Sequence, residues 1–241
     1  MHEANRHPGK AVRLIARFAT SVHLPTGVRL PGVAAERQHD SGYPVRAEIR
    51  PEAREAARRA LGLPPAGRLV LVVGGSQGAA RLNRWVEAHL ADFAERGVHV
   101  LCLTGPGGRE DEVRTPQSVV KFLPFCHQMA AAYSAADLAV ARAGAGTLAE
   151  LATCRTPAVL IPLPSAADDH QTANARESAR TGAALLLPEA ELDRLAALVF
   201  GRLHDNAALA AMRDALALAD AGNRWEALAT ETVALAGGAA A

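Results

Sequence analysis

The stretch of sequence that decides the fold is LVLVVGGSQGA, residues 69–79. Its first five residues are apolar on both faces, which is typical of a buried central strand. The glycines after them mark a tight turn into residues 79–96. In that segment apolar residues recur at three- and four-residue spacing: Leu82, Trp85, Val86, Leu90 and Phe93. The spacing predicts one amphipathic helix packed on the strand.

The same alternation continues along the chain and predicts a parallel sheet. Short apolar runs predict further strands at residues 98–103, 119–122, 138–140, 158–161 and 184–187. Alanine-rich segments between and after them predict helices at residues 129–135, 147–153, 170–181, 189–203, 206–219 and 223–236. We therefore expect an α/β fold with a Rossmann-like, doubly wound parallel sheet.

The first 45 residues have a different pattern. They predict a helix at about residues 8–18 and a short strand at 21–24, followed by a turn-rich loop. Because these elements are too few for a domain of their own, we place a boundary after them. The predicted units are residues 1–45 and residues 46–241.

Composition excludes several classes of protein. The chain has 241 residues, of which 49% are hydrophobic, with 26 basic and 25 acidic side chains and a net charge of +1. This balance argues against nucleic-acid binding, which needs clustered basic charge. Three cysteines without a CxxC pair indicate neither a disulfide framework nor a zinc site. No uncharged apolar run reaches the roughly 18 residues of a membrane span.

Two glycine-rich turns suggest where a ligand binds. The turn at residues 74–79 brings free backbone N–H groups and a helix dipole together, as phosphate sites do. It lacks the GxGxxG spacing and the lysine of a P-loop, so it supports neither NAD nor P-loop ATP binding. A second turn, residues 141–147, follows the predicted strand at 138–140 and leads into a helix. Both turns are expected at the carboxyl edge of the sheet, although each could be only a strand-to-helix turn.

Glu150 follows the second turn closely enough to accept hydrogen bonds from two ribose hydroxyls. The structural alternative is that Thr147 caps the helix and Glu150 is a favourable acid in its first turn.

The loop and helix at residues 162–175 carry a third polar cluster. Asp168 and Gln171 have the spacing of a capping box, which would explain both residues structurally. Alternatively, Gln171 and Asn174 present amides to sugar hydroxyls. A metal site built from Asp168, Asp169 and His170 would need further ligands.

Read together, these segments resemble the MurG family. The motifs are GGSQGA (74–79), MAAAY with ADL (129–138), RAGAGT through Glu150, and HQTANA (170–175). HEAN with PG at residues 2–9 and GYPVR at 42–46 resemble the family's HEQN segment and GNPVR linker. Tyr43 departs from the usual asparagine, and the family's amino-terminal GGTGGH loop is absent.

The resemblance implies a GT-B arrangement in which this chain holds the C-terminal donor-binding domain and a remnant of the N-terminal acceptor domain. The implied activity is that of an inverting hexosyltransferase of peptidoglycan synthesis. It would move GlcNAc from UDP-GlcNAc to undecaprenyl-pyrophosphoryl-MurNAc-pentapeptide and act at the cytoplasmic face of the cell membrane. No cofactor or metal is implied. With most of the N-terminal domain absent, we expect the chain to be incomplete as an enzyme.

The resemblance also assigns residues by position. His2 and Glu3 would assist catalysis, whereas the main base would belong to the missing loop. The residues expected to bind UDP-GlcNAc are Asn5, Arg46, Gly75, Ser76, Gln77, Cys126, Ala145, Gly146, Thr147, Leu148, Glu150, His170, Gln171 and Asn174. Among them, the segment around Cys126 would contact uracil through its backbone.

Two alternative functions stay open at this point. The chain could be the donor-binding subunit of a split glycosyltransferase, or a UDP-sugar epimerase-like protein. A second open question concerns residues 8–18, where Lys10, Arg13 and Arg17 flank Leu14 and Phe18. This pattern fits either peripheral contact with anionic lipid headgroups or a solvated basic face.

Overall fold

The computed structural model describes residues 1–74 and 80–237. Within them the strands are β1 (Val22–Pro25), β2 (Gln38–Ser41), β3 (Arg68–Val73), β4 (Val98–Leu103), β5 (Asp111–Arg114), β6 (Val119–Leu123), β7 (Leu138–Ala141), β8 (Ala158–Leu160) and β9 (Ala184–Leu186). The helices are α1 (Lys10–Ile15), α2 (Arg54–Ala60), α3 (Ala80–Ala88), α4 (Leu90–Glu95), α5 (Met129–Ala135), α6 (Ala145–Thr153), α7 (His170–Arg180), α8 (Leu195–Leu203), α9 (Asn206–Ala221) and α10 (Trp225–Gly237). No helix in these two ranges is long and apolar enough to cross a membrane.

The main sheet has seven strands in the order β5-β6-β4-β3-β7-β8-β9. All neighbouring pairs are parallel except β5 and β6. The six parallel strands, counted along the chain, have the spatial order 3-2-1-4-5-6 of a Rossmann sheet. This arrangement confirms the predicted fold class, and the six predicted strands agree with the observed ones to within about one residue.

Successive side chains of β3 build the two layers of the core, as expected for a strand with a period of two. Leu69, Leu71 and Val73 pack with α5 and α6 on one face of the sheet. Val70 and Val72 pack with α3, α4 and α8 on the other face. The sheet is therefore covered on both faces, which places its ligand-accessible surface at the strand ends.

Two predicted helices are interrupted or altered within their predicted length. The helix expected over residues 79–96 is interrupted at His89, whose Nδ1 lies 2.8 Å from the Trp85 carbonyl oxygen. This side chain competes with the backbone for hydrogen bonds at that turn. The helix expected from residue 189 begins as a 3₁₀ helix, Glu189–Arg194, where the buried Glu189 carboxylate pairs with Arg142.

Three elements, α2, β2 and β5, were not predicted from the sequence. Their sequences, REAARRA, QHDS and DEVR, contain few large apolar residues. Strand β5 lies at the edge of the sheet and β2 pairs with β1 alone, so neither needs two apolar faces. Hydrophobic periodicity cannot detect such elements.

Residues 1–45 form a small layer beside the main sheet. The parallel pair β1 and β2 packs with α1 around a core of Ala16, Val22, Leu24, Leu30 and Val33. Helix α1 ends at Ile15, three residues before the predicted end. The layer contacts α10, where Glu231 lies 3.0 Å from His23. The domain boundary after residue 45 stays a prediction.

Candidate functional site

The topological switch point of the sheet lies between β3 and β7. Val73 and Ala141 are register partners at the ends of these strands, and the Arg142 amide donates to the Val73 carbonyl at 3.3 Å. The two strands that precede the glycine-rich turns therefore end side by side at the same edge, as the sequence predicted. Gly75, Ser76 and Gln77, assigned to the first turn, lie outside the described residues.

The amino end of α6 is built from the second turn. Gly144 is the N-cap residue and no side chain caps the helix. Among the described residues, no acceptor is recorded for the backbone N–H groups of Ala145, Gly146 and Thr147. The interpretation of Thr147 as an N-cap is wrong, because the helix begins two residues before it. The uncapped amino end of α6 favours the binding of an anion.

Glu150 lies in the second turn of α6, so it is not a first-turn acid. Its side chain is 20% exposed. Oε2 accepts a hydrogen bond from the Tyr133 hydroxyl at 2.8 Å. Oε1 lies 3.6 Å from Arg46 Nη2. The fold thus brings Arg46, predicted from the linker motif, to the acid predicted to bind ribose.

The linker before Arg46 also reaches the amino end of α6. A Cβ at Gly146 would lie 3.4 Å from the Tyr43 hydroxyl oxygen, so the tyrosine ring lies beside that turn. His2 Nε2 lies 2.9 Å from the Gly42 carbonyl oxygen, and its ring centroid is 6.5 Å from that of Tyr43. The predicted residues His2 and Gly146 therefore both lie near Tyr43, three residues before Arg46 in the linker.

Glu3 and Asn5 hold the amino-terminal motif together. Glu3 is buried, and its Oε1 accepts hydrogen bonds from the backbone and side-chain nitrogens of Asn5 at 2.8 and 2.9 Å. These bonds account structurally for the acid that the resemblance assigned to catalysis. They orient the side-chain amide of Asn5 towards α7.

Asn174 on α7 is buried, and its polar atoms are used within the protein. Its Nδ2 donates to Asn5 Oδ1 and to the Ala143 carbonyl, each at 3.1 Å. Its Oδ1 accepts from the Arg6 amide at 3.0 Å. Both amide hydrogens of Asn174 thus have protein acceptors, and its assignment to the sugar stays a prediction.

Gln171 does not form the capping box suggested by its distance from Asp168. Helix α7 follows Asp169, has no side-chain cap, and is entered through two residues with φ near +50°, Asp168 and Asp169. Gln171 Oε1 instead accepts from the backbone amides of Ala143 and Leu163. These bonds orient the Gln171 amide at the strand ends, next to His170, the first residue of α7.

Cys126 lies in the loop after β6, at the same sheet edge. Its side chain is buried, and burial raises the pKa of the thiol. A ligand near this loop would meet backbone, as predicted, or the exposed ring of Phe125, which packs against His127 at 4.7 Å. Neither a site role for Phe125 nor one for Tyr133 was predicted from the sequence. An aromatic residue in an apolar segment carries no local mark of function.

A cavity of about 540 Å³ lies elsewhere, between residues 1–45 and the helices α6, α7 and α9. Leu148 is the one predicted binding residue in its wall. The chemistry-bearing side chains are at the sheet edge, so we assign the candidate site there. Within the described ranges, no three His, Cys, Asp or Glu side chains are grouped to hold a metal ion.

The strand order and the uncapped helix end at the switch point define a Rossmann-type domain. Residues 69–225 match the model of the glycosyltransferase family 28 C-terminal domain. The chain belongs to that family.

Curated relatives share sequence over nearly the whole chain. A protein of Opitutus terrae is 43% identical over 232 residues, covering 94% of this chain and 62% of the relative. A protein of Salinibacter ruber is 39% identical over 241 residues, covering 91% and 65%. Both are named UDP-N-acetylglucosamine–N-acetylmuramyl-(pentapeptide) pyrophosphoryl-undecaprenol N-acetylglucosamine transferase. The chain thus spans less than two thirds of their length.

Solved structures agree with this assignment. MurG of Acinetobacter baumannii superposes with a TM-score of 0.63 at 29% identity, covering 88% of this chain and 61% of that one. The glycosyltransferase of kitacinnamycin has a TM-score of 0.62 at 22% identity, covering 89% and 54%, and shows likeness of fold alone. The resemblance to MurG drawn from the motifs is confirmed.

Proposed function

We propose that this chain is the donor-binding part of a hexosyltransferase of peptidoglycan synthesis. It would bind UDP-GlcNAc, and the acceptor would be the lipid-linked MurNAc-pentapeptide named in its relatives. The observation that carries the proposal is the grouping of Glu150, Arg46 and the uncapped amino end of α6 at the switch point. Each of the three suits one part of a nucleoside diphosphate.

The parts of the site have separate roles. Backbone N–H groups at Ala145–Thr147, together with Arg46, bind the diphosphate, because the helix end carries partial positive charge. Glu150 accepts hydrogen bonds from the ribose. When an acceptor hydroxyl displaces UDP with inversion at the anomeric carbon, negative charge develops on the departing phosphate. The same donors stabilise that charge in place.

Titration calorimetry with UDP tests the proposal. We expect the full chain to bind UDP, and Glu150→Ala to weaken binding at least about tenfold, because a charged acceptor of ribose hydroxyls is lost. Glu48→Ala is the matched control. It removes the other carboxylate near Arg46, 3.5 Å from Nη1, but lies outside the proposed ribose contact.

Two results would contradict the proposal. One is the absence of heat with both UDP and UDP-GlcNAc on folded protein. The other is an equal loss of affinity in Glu150→Ala and Glu48→Ala, since it would show that the site depends on general charge rather than on Glu150.

We further propose a peripheral contact with the cytoplasmic face of the membrane through α1 and the turn after it. Leu14, Ile15 and Phe18 are 58, 56 and 83% exposed. Lys10 and Arg17 on the same segment are exposed and basic. Exposed apolar side chains beside cations suit an interface with anionic lipids. This pattern supports the lipid contact over a solvated basic face.

A further inference from the structure

We propose that Tyr133 is a positioning residue for nucleotide binding: it fixes the Glu150 carboxylate so that one oxygen faces the ribose. The inference rests on the proposed function. A fixed Glu150 carboxylate would make the site prefer a nucleotide with free ribose hydroxyls.

The geometry places Tyr133 behind Glu150. Tyr133 is on α5, with 1% of its surface exposed, and its hydroxyl donates to Glu150 Oε2 at 2.8 Å. Helices α5 and α6 pack against each other. The tyrosine therefore contacts Glu150 from the protein interior and does not compete with a ligand on the open side.

The protonation state of the phenol is suited to this role. Burial, together with the neighbouring Glu150 carboxylate, raises the pKa of Tyr133 well above its ordinary value. The hydroxyl accordingly keeps its proton and donates to the carboxylate. A hydrogen bond between a neutral donor and an ionised acceptor is among the stronger ones in proteins.

The second carboxylate oxygen is the one available to a ligand. Oε1 lies 3.6 Å from Arg46 Nη2, and Arg46 is 58% exposed and also 3.5 Å from Glu48. An exposed ion pair at that distance is weak. A bound diphosphate offers Arg46 a better acceptor, so the arginine turns to the phosphate and leaves Oε1 to the ribose hydroxyls.

Without the tyrosine hydroxyl, the Glu150 side chain would still be present but would lose its fixed orientation. Binding would then have to order a rotamer-rich side chain that the wild-type protein orders in advance. This cost appears only for ligands that use Glu150. A purely structural role for Tyr133 would instead affect all ligands alike.

Calorimetry with two nucleotides separates these roles. UDP and 2′,3′-dideoxy-UDP differ only in the hydroxyls assigned to Glu150. For Tyr133→Phe we expect UDP binding to weaken about tenfold and dideoxy-UDP binding to change less than about twofold. In a Glu150→Ala background, Tyr133→Phe should have no further effect on UDP.

Thr156→Val is the matched control. Thr156 is buried and its hydroxyl donates to the Tyr133 carbonyl at 3.0 Å, so the variant removes a buried hydrogen bond to the same residue without touching Glu150. We expect wild-type affinity for both nucleotides. The inference would be overturned if Tyr133→Phe lost equal affinity for the two nucleotides, or lost no affinity for UDP. In either case, UDP binding by the wild-type protein would still support the proposed function. Wild-type protein that binds neither nucleotide would overturn both.

Discussion

The guanidinium of Arg58 lies 3.1 Å from the carboxylate of Asp137, with 1% of the arginine side chain and none of the aspartate exposed. Asp137 also accepts hydrogen bonds from the Leu69 amide at 2.8 Å, from Arg68 at 2.9 Å and from Arg54. Burial alone would raise the pKa of Asp137, but these donors outweigh it and hold the pKa below its ordinary value. One carboxylate thus joins α2, β3 and the start of β7.

Asp137→Asn should destabilise the protein by about 3–5 kcal/mol, because it leaves the buried Arg58 charge without its partner. Urea unfolding monitored by circular dichroism measures the change. Asp111→Asn is the control, since Asp111 pairs with Arg109 at the surface and should contribute less than about 1 kcal/mol. Similar losses in the two variants would contradict the assigned difference in burial.

Acid should weaken the fold partly through His99. The Val119 amide donates to Nδ1 at 3.1 Å, and Nε2 lies 3.0 Å from the Ala66 carbonyl, an arrangement that requires the neutral ring. Burial lowers the pKa of His99 below 6.5. The unfolded chain therefore takes up the proton first, so stability is full above about pH 6.5 and falls as the pH drops through the folded-state pKa.

In His99→Gln we expect a shallower decline of the melting temperature between about pH 7 and 5 than in the wild type, because a non-titrating amide replaces the ring. Thermal melts at matched ionic strength measure it. If the slope is unchanged, the acid sensitivity comes from other groups. His23 is one such group, because burial lowers its pKa as well.

Gly42→Ala should destabilise the attachment of residues 1–45. A Cβ at this position would lie 1.5 Å from Asn223 Oδ1, which accepts the Tyr43 amide while Asn223 Nδ2 donates to the Tyr43 carbonyl. We expect a loss of about 1–3 kcal/mol in thermal or urea unfolding, as for other overpacked sites.

Gly201→Ala is the matched control for that change. Gly201 lies inside α8, and its Cβ would meet no heavy atom of the described residues within 4 Å. Alanine there should stabilise the helix by about 0.5–1 kcal/mol. A Gly42→Ala variant that is as stable as the wild type, or more stable like the control, would argue against the close Gly42–Asn223 contact.

Phe18→Ala should reduce binding to anionic vesicles about tenfold, because the most exposed apolar side chain of the proposed membrane surface is lost. Co-sedimentation with phosphatidylglycerol vesicles measures the partition. Phe125→Ala removes an exposed phenylalanine from the sheet edge and should leave vesicle binding unchanged. Equal losses would point to general apolar adhesion.

Local pattern was sufficient for the parts of the site that the backbone builds. An apolar strand followed by glycines and a helix can be recognised within a dozen residues, and parallel strands bring such turns to one edge. Glu150 and the turn before α6 therefore lie at the predicted edge of the sheet, and their part in binding stays a prediction. The alternatives for Thr147 and for Asp168 with Gln171 failed because helix starts depend on backbone angles that the spacing alone does not fix.

The sequence by itself determined the class of sheet, the edge at which a ligand is expected and, through its motifs, the family. Only the tertiary structure decided which polar side chains form their hydrogen bonds within the protein. Asn174 bonds to Asn5 across 169 positions, and Tyr133 bonds to Glu150 from a neighbouring helix. Hydrogen bonds between distant segments depend on how elements pack, and the chemistry of a side chain does not reveal its partner until the chain has folded.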